Sequence, residues 1–329
     1  MDLSLLQKTL EELNLPSFRY RQIVKNYYSG RYSDFSQMTD LSLDLRQKLS
    51  ENLNLLSVSE DKIVGDESTK KALLKLQDGQ KIESVLMDYE DWLTVCVSSQ
   101  VGCSLGCSFC ATGKMGFKRN LSSEEIVDQI LYWNQKIYPK YVGRVVFMGM
   151  GEPFLNWDNV LAAINIINSS DALNIGARKI SISTAGVVDK IVDFANLDTQ
   201  INLAISLHSA DQKTRESIMP IAKKFSLVQL KNACNYYVGK TNRQLFFEYA
   251  LIDINTKSDD AKLLADFINS NRLFFLNLIP LNPIKGGLVP ASKDAQTNFI
   301  SILDKLNVAY SLRRSFGQKF NAACGQLVS

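Results

Sequence analysis

Histidine is almost missing from this chain: His208 is the only one in 329 residues. A zinc site completed by imidazoles therefore has a single candidate. Long apolar runs are missing too. None approaches the roughly 18 residues that a membrane span needs, so no membrane partner is expected. Charge of one sign is scarce, with 37 Lys and Arg against 34 Asp and Glu and a net charge of +3. Such a balance does not by itself announce nucleic-acid binding. There is no low-complexity segment and no repeat. The opening Met1-Asp-Leu-Ser-Leu-Leu-Gln-Lys8 brings charge too early for a secretory signal. The expected setting is cytoplasmic, where thiols stay reduced and clustered cysteines more often serve a metal or catalysis than a structural disulfide.

What is present is an ordinary globular composition, 46% hydrophobic and 22% charged. The length suits one large domain with an accessory one. Residues 1–55 read as a helical accessory domain. Leu3, Leu5, Leu6, Leu10 and Leu13 fit one helix face, Pro16 ends that helix, a second runs from Phe18 to Tyr28, and Thr39-Asp40 can cap a third. Residues 56–91 read as a β extension, with strands at 72–76 and 82–87 on either side of the hairpin signal Asp78-Gly79. From 92 to 329 strands and helices alternate. The strand at 92–97 leads into cysteines, the capping box Ser122-Ser-Glu-Glu125 opens a helix, and further strands follow at 145–148, 179–183, 201–206, 245–251, 273–279 and 307–313. The expected fold class is α/β, six β/α units with a parallel sheet and right-handed crossovers, too few to close an eightfold barrel.

Four of the six cysteines lie between 96 and 110, and Cys103, Cys107 and Cys110 are spaced C-x₃-C-x₂-C. They follow the first barrel strand, at the end where such folds place their active sites. A structural zinc wants four ligands, and His208 lies far off in sequence. Three thiolates suggest instead an iron–sulfur cluster with one iron open to another ligand. Three cysteines in a zinc or purely structural role are the alternative. Gly149-Met-Gly151-Glu152-Pro153, after the second barrel strand, is compatible with a simple tight turn, since a lone GxG carries little weight.

The triplet heading a β/α array resembles the radical S-adenosylmethionine (SAM) enzymes, which implies one [4Fe-4S] cluster held by three cysteines and SAM. The resemblance narrows over Leu15-Pro-Ser-Phe-Arg19, Val97-Ser-Ser-Gln-Val-Gly-Cys103, Cys110-Ala-Thr-Gly-Lys-Met-Gly-Phe-Lys-Arg-Asn-Leu121, Phe147-Met-Gly-Met-Gly-Glu-Pro-Phe-Leu-Asn156, Ser183-Thr-Ala-Gly-Val-Val188, Leu203-Ala-Ile-Ser-Leu-His-Ser209 and Ala322-Ala-Cys-Gly-Gln-Leu327. Together these resemble the RlmN/Cfr family of radical SAM RNA methyltransferases, and RlmN most. The fold this implies is a partial (β/α)6 radical SAM barrel with a small N-terminal helical domain and a short β extension.

The implied reaction is methylation of C2 of adenine in 23S rRNA, at adenosine 2503 of the peptidyl-transferase centre, and at adenosine 37 of tRNAs. Adenine C2 is electron-poor and cannot attack SAM as an amine would. The family's route methylates a cysteine with one SAM, makes a carbon radical of that methyl group with a second, adds it to C2, and resolves the adduct through a disulfide. The resemblance assigns Cys103, Cys107 and Cys110 to the cluster, and Gly151, Glu152, Ser183, Ser206, Leu207 (through its backbone), His208 and Asn282 to SAM. It makes Cys324 the methyl carrier, Cys96 the resolving thiol and Glu83 the proton acceptor. Cys234 reads as a buried apolar residue.

The implied partners are protein-poor 23S rRNA, tRNA and a flavodoxin- or ferredoxin-type electron donor, with a monomer as the expected assembly. Lys114, Lys118, Arg119, Lys223, Lys224, Arg313 and Arg314 are candidate RNA contacts, and the target base has to leave its stack. Ala222, Thr256 and Asn321 depart from the family pattern. Rival readings are a Cfr-type enzyme acting at adenine C8, which the Pro153 after Glu152 disfavours, a radical SAM activase of another protein, and, from another class, a non-catalytic zinc or RNA-binding module.

Overall fold

The computed structural model describes residues 1–313 and 317–327. Three helices come first, α1 (Leu3–Glu12), α2 (Phe18–Tyr28) and α3 (Leu43–Asn52). Strands β1 (Val58–Gly65), β2 (Thr69–Leu76), β3 (Lys81–Asp88) and β4 (Leu93–Cys96) follow. The cysteine loop carries β5 (Gln100–Gly102), α4 (Ala111–Lys114) and β6 (Phe117–Asn120). The alternation is then α5 (Ser123–Ile137), β7 (Arg144–Phe147), α6 (Trp157–Asn168), β8 (Ile180–Thr184), α7 (Val188–Ala195), β9 (Asn202–Ser206), α8 (Gln212–Ile218), α9 (Leu227–Thr241), β10 (Leu245–Leu251), α10 (Ser258–Ile268), β11 (Phe274–Pro280), α11 (Lys293–Lys305) and β12 (Tyr310–Leu312).

Ten strands make one open sheet in the order β1-β2-β3-β4-β7-β8-β9-β10-β11-β12. From β4 onward every pairing is parallel, and β1 to β4 pair antiparallel. The seven parallel strands with helical crossovers form a partial barrel, as the resemblance implies. The β extension belongs to this same sheet, since β3 pairs with β4 over Val85↔Cys96 to Asp88↔Leu93. The parallel strands read as short apolar runs because helices cover their outer face. Val145, Ile182, Leu203, Ile205, Phe247, Leu276 and Leu278 are all buried.

The capping box forms as the sequence expects. The Glu125 amide donates to Ser122 Oγ at 3.2 Å and the Ser122 amide donates to Glu125 Oε2 at 3.0 Å. The α5 helix lies between the sheet and the N-terminal helices, which explains buried polar residues within it. Trp133 Nε1 donates to Ser84 Oγ at 3.0 Å, and that hydroxyl donates to the Cys96 carbonyl at 3.0 Å, so one relay joins α5, β3 and β4. Asp128, fully buried, accepts from the Tyr27 hydroxyl and from the Ser57 amide and hydroxyl at 2.6 and 2.7 Å. Burial, and then the Asp128 charge, raise the Tyr27 phenol well above its ordinary value, so it stays a donor. Asp128 therefore fastens the helical segment and the start of the sheet to α5. Replacing it with Ala strands the Tyr27 hydroxyl and the Ser57 amide. Denaturant unfolding should show a loss of about 3 kcal/mol, and Asp128→Asn should lose less.

Candidate active site

The first barrel strand ends at Cys96, and the chain turns into the loop that bears Cys103, Cys107 and Cys110. A small β5–β6 ladder closes this loop. Gly102 sits at φ +75°, and a Cβ there would meet the Gly116 carbonyl oxygen at 1.8 Å, so the residue before the first cysteine of the triplet must be glycine. Gly151, at φ +97°, brings the next strand's turn against the same loop, where a Cβ would lie 2.5 Å from Gln100 Cβ. Gln100 Oε1 then accepts from the Glu152 amide at 2.9 Å. The turn's glycines thus serve a close approach between two strand ends.

Cys103, Cys107, Cys110, Gly151, Glu152, Ser183, Ser206, His208, Asn282 and Cys324 line one cavity of about 170 Å³ at the carboxyl ends of the parallel strands. Three of the assigned residues do not join them. Leu207 is fully buried, its amide donates to the Glu248 carbonyl at 3.0 Å, and its carbonyl accepts from Arg215 Nε at 3.1 Å, so neither backbone group is turned to the cavity. Glu83 is buried outside it, with its carboxylate 2.8 Å from the Lys71 ammonium. Cys96 lines a smaller adjoining cavity of about 50 Å³ together with Cys324, Tyr89 and Arg313. Both thiols are reduced, and the Cys324 side chain opens into the void although protein surrounds it.

The tail that carries Cys324 is held by its main chain. Asn282 Nδ2 donates to the Cys324 carbonyl at 3.1 Å, the Ala111 amide to the Gly325 carbonyl at 2.7 Å, and Thr112 Oγ1 to the Leu327 carbonyl at 2.6 Å. The other end of the Asn282 amide, Oδ1, accepts from Gln318 at 2.7 Å.

Burial dominates the electrostatics. It pushes Cys103 to about 11 and Cys96 to about 12, the second helped by the Cys324 charge. It raises Cys107 as well, with Cys110 and then Cys103 adding to the shift, so the three thiols feel one another. Cys324 is raised by burial and opposed by Arg313. Glu152 is raised by burial too. It accepts from the Ala185 amide at 2.7 Å and the Phe154 amide at 3.1 Å, and among the described residues no basic side chain pairs with it. His208 sits at φ +54°. Asn255, fully buried, stabilises that bend by donating to the His208 carbonyl at 2.7 Å. The Ala250 amide donates to His208 Nδ1 at 2.9 Å, which leaves the proton on Nε2. Burial, then Arg215, depress the imidazole to about 3.

Three partners of the site were not foreseen. Arg313, expected on the RNA surface, turns inward and donates through Nη1 to both oxygens of Glu248 at 3.2 Å. A glutamate inside the apolar strand Leu245–Leu251 was the available sign of an interior charge. Arg215, fully buried, donates to the carbonyls of Leu207, Ala185 and Ser206. Of the other candidate RNA contacts, Arg119 is locked between Asp78 and Glu125, and Lys114 donates to the Lys285 and Gly286 carbonyls. Lys118, Lys223 and Lys224 are exposed, and Arg314 lies outside the described residues. The departures are absorbed locally. Thr256 Oγ1 donates to the Ile252 carbonyl at 2.9 Å, Ala222 is buried, and Asn321 adopts φ +51°, a conformation Asn and Asp both tolerate.

A cysteine loop on the first strand of a partial barrel, facing a cavity across the other strand ends, defines a radical SAM enzyme, and residues 97–246 match the Radical SAM superfamily. Residues 1–55 match the ribosomal RNA large subunit methyltransferase N-terminal domain. Probable dual-specificity RNA methyltransferases RlmN are 40% identical in Clostridium perfringens (98% of this chain, 93% of the relative) and 42% in Clostridium tetani (99% and 95%). The crystal structure of a radical SAM methyltransferase from Sphaerobacter thermophilus superposes with a TM-score of 0.92 at 38% identity, covering 99% of this chain and 97% of the other. The chain belongs to the RlmN family of radical SAM RNA methyltransferases.

Because the chain has one histidine, its imidazole is directly observable. Long-range ¹H–¹⁵N spectra should show a single Nε2–H tautomer that does not titrate between pH 8 and 5. A depressed folded pKa means the unfolded state binds the extra proton. Stability is therefore complete above about 6.5 and declines as pH falls toward 3. Thermal melts of His208→Gln should lack that part of the decline.

Proposed function

We propose that this enzyme methylates C2 of adenine in 23S rRNA, at adenosine 2503, and at adenosine 37 of tRNAs, with Cys324 as methyl carrier. The observation that carries the reading is the placement of Cys96 and Cys324, far apart in sequence, around one small cavity that adjoins the one lined by the cysteine triplet.

Cys103, Cys107 and Cys110 are the residues to hold a [4Fe-4S] cluster. Among the described residues, no three His, Cys, Asp or Glu side chains converge on a point suited to one metal ion. A cluster takes each thiolate on a different iron, and all three cysteines line the same cavity. The raised thiols give up their protons as metal binds. Glu152, a buried carboxylate with no basic partner among the described residues, fits the ammonium of a bound SAM, and Gly151, Ser183, Ser206, His208 and Asn282 complete the SAM set, with Leu207 behind them holding Arg215 through its carbonyl. His208 Nε2–H contributes a neutral donor. With SAM bound, the cluster supplies a carbon-centred radical.

The chain's own residues do the rest. Cys324 accepts the first methyl group as a thiolate, so loading requires its raised thiol to ionise. Arg313 favours that ionisation. Once the methylene bridges Cys324 and the base, the adduct carries an unpaired electron; it returns that electron to the flavodoxin- or ferredoxin-type redox partner and gives its C2 proton to Glu83, which restores the aromatic ring. Cys96 then attacks the Cys324 sulfur. The S–S bond forms, the S–CH₂ bond breaks, and its electron pair stays with the carbon, which takes a proton to become the methyl group. Lys118, Lys223 and Lys224, all exposed, are the phosphate contacts of this reading. The division into 1–55, 56–91 and 92–329, a cytoplasmic monomer and a flavodoxin- or ferredoxin-type electron donor complete the proposal. No helix among the described residues is long and apolar enough to cross a membrane.

Nuclease digestion and mass spectrometry of treated 23S rRNA and tRNA should yield 2-methyladenosine, and 8-methyladenosine in its place overturns the reading. Cys324→Ala should lose turnover by about 10³-fold or more. Cys96→Ala should stall as a protein–RNA adduct that denaturing gels retain.

A further inference from the structure

The antiparallel extension reaches the tail through one side chain. Lys71, on β2, is 8% exposed. Its ammonium lies 2.8 Å from Glu83 Oε1 and donates to the Asn321 carbonyl at 2.9 Å. Asn321 stands three residues before Cys324, and Ala322 and Ala323 between them are buried. At Cys324 and beyond it, the tail is held by Asn282, Ala111 and Thr112. Lys71 thus adds a fastening on the near side of the thiol, next to the Gln318–Asn282 contact, and places the Glu83 carboxylate beside the same stretch of chain.

We propose that Lys71 is a positioning residue for methyl transfer: it anchors the tail at Asn321, fixes the approach of Cys324 to Cys96, and holds Glu83 in register with both. The inference rests on Cys324 as methyl carrier. An ammonium buried between a carboxylate and a main-chain carbonyl has both charges compensated, whereas removing it leaves Glu83 without that counter-charge and the Asn321 carbonyl without that donor. The contact uses backbone at Asn321, so the departure of that side chain from the family pattern leaves it intact. Neighbouring Lys70 is exposed and cannot substitute, because a strand turns successive side chains to opposite faces.

The test uses the cluster-loaded enzyme. Wild type, Lys71→Met and Lys71→Arg are compared for kcat and KM on rRNA, for methyl on the Cys324 peptide, and for the rate at which the Cys96–Cys324 linked peptide forms in glutathione disulfide buffer. Lys71→Met should lose about 10²-fold in kcat with KM unchanged, since small misplacements of reacting groups cost that much. It should also form the linked peptide more slowly, and Lys71→Arg should recover most of both. If Lys71→Met does not fold, Lys71→Met/Glu83→Gln removes both charges, and its linking rate decides. A slowed rate supports the anchor. A wild-type rate, or wild-type kcat in Lys71→Met, overturns it. Cys324 that never carries methyl in the wild type overturns the carrier assignment and this inference together, whereas normal methylation with an undisturbed Lys71→Met overturns this inference alone.

Discussion

The position of Cys324 depends on hydrogen bonds to main-chain carbonyls, which no substitution of a tail side chain removes directly. The Gly325 and Leu327 carbonyls are received by the Ala111 amide and the Thr112 hydroxyl, on the loop that carries the triplet, and the Cys324 carbonyl by Asn282, just past β11. These donors come from opposite parts of the sheet and meet because parallel strands bring their carboxyl ends to one rim. The tail then roofs that rim. Burial is the first cause of every raised thiol in the site.

The interior beneath carries more charge than stability alone favours. Arg215 has carbonyl acceptors and, by burial, a guanidinium lowered to about 10. Glu248 answers Arg313, and Asn277 Nδ2 adds a hydrogen bond to Glu248 at 3.1 Å. Buried pairs of this kind often contribute less to stability than apolar packing of the same volume. What they supply here is placement. Arg215 joins the ends of β8 and β9 behind Ser206 and His208, and Glu248 fixes an arginine between the two cavities that Cys324 faces.

Much of this was legible beforehand. The alternation from β4 to β12 shows in the sequence because helix and strand periods differ, and the Ser122–Glu125 box marks a helix start unaided. β1 was not, because only Val58 along it is buried and an edge strand so exposed shows no alternation. β5, β6 and α4 are too short for any period and exist because the loop packs. At the site, the cysteine spacing spoke for itself, while the SAM and thiol residues were legible only through resemblance. Lys71 and Arg313 were hidden for another reason. Each stands in a basic pair in the sequence, and that Lys71 and Arg313 face inward depends on strand register and on a partner far along the chain.

Asn282 has a consequence of its own. Its amide nitrogen is committed to Cys324 and its amide oxygen to Gln318. A ligand that recruits either atom competes with one of these contacts, so its affinity includes the free energy of loosening the tail. By thermodynamic reciprocity, whatever tightens the tail weakens that ligand by the same factor. Filling the cavity and seating the thiol are therefore linked equilibria that share one carboxamide.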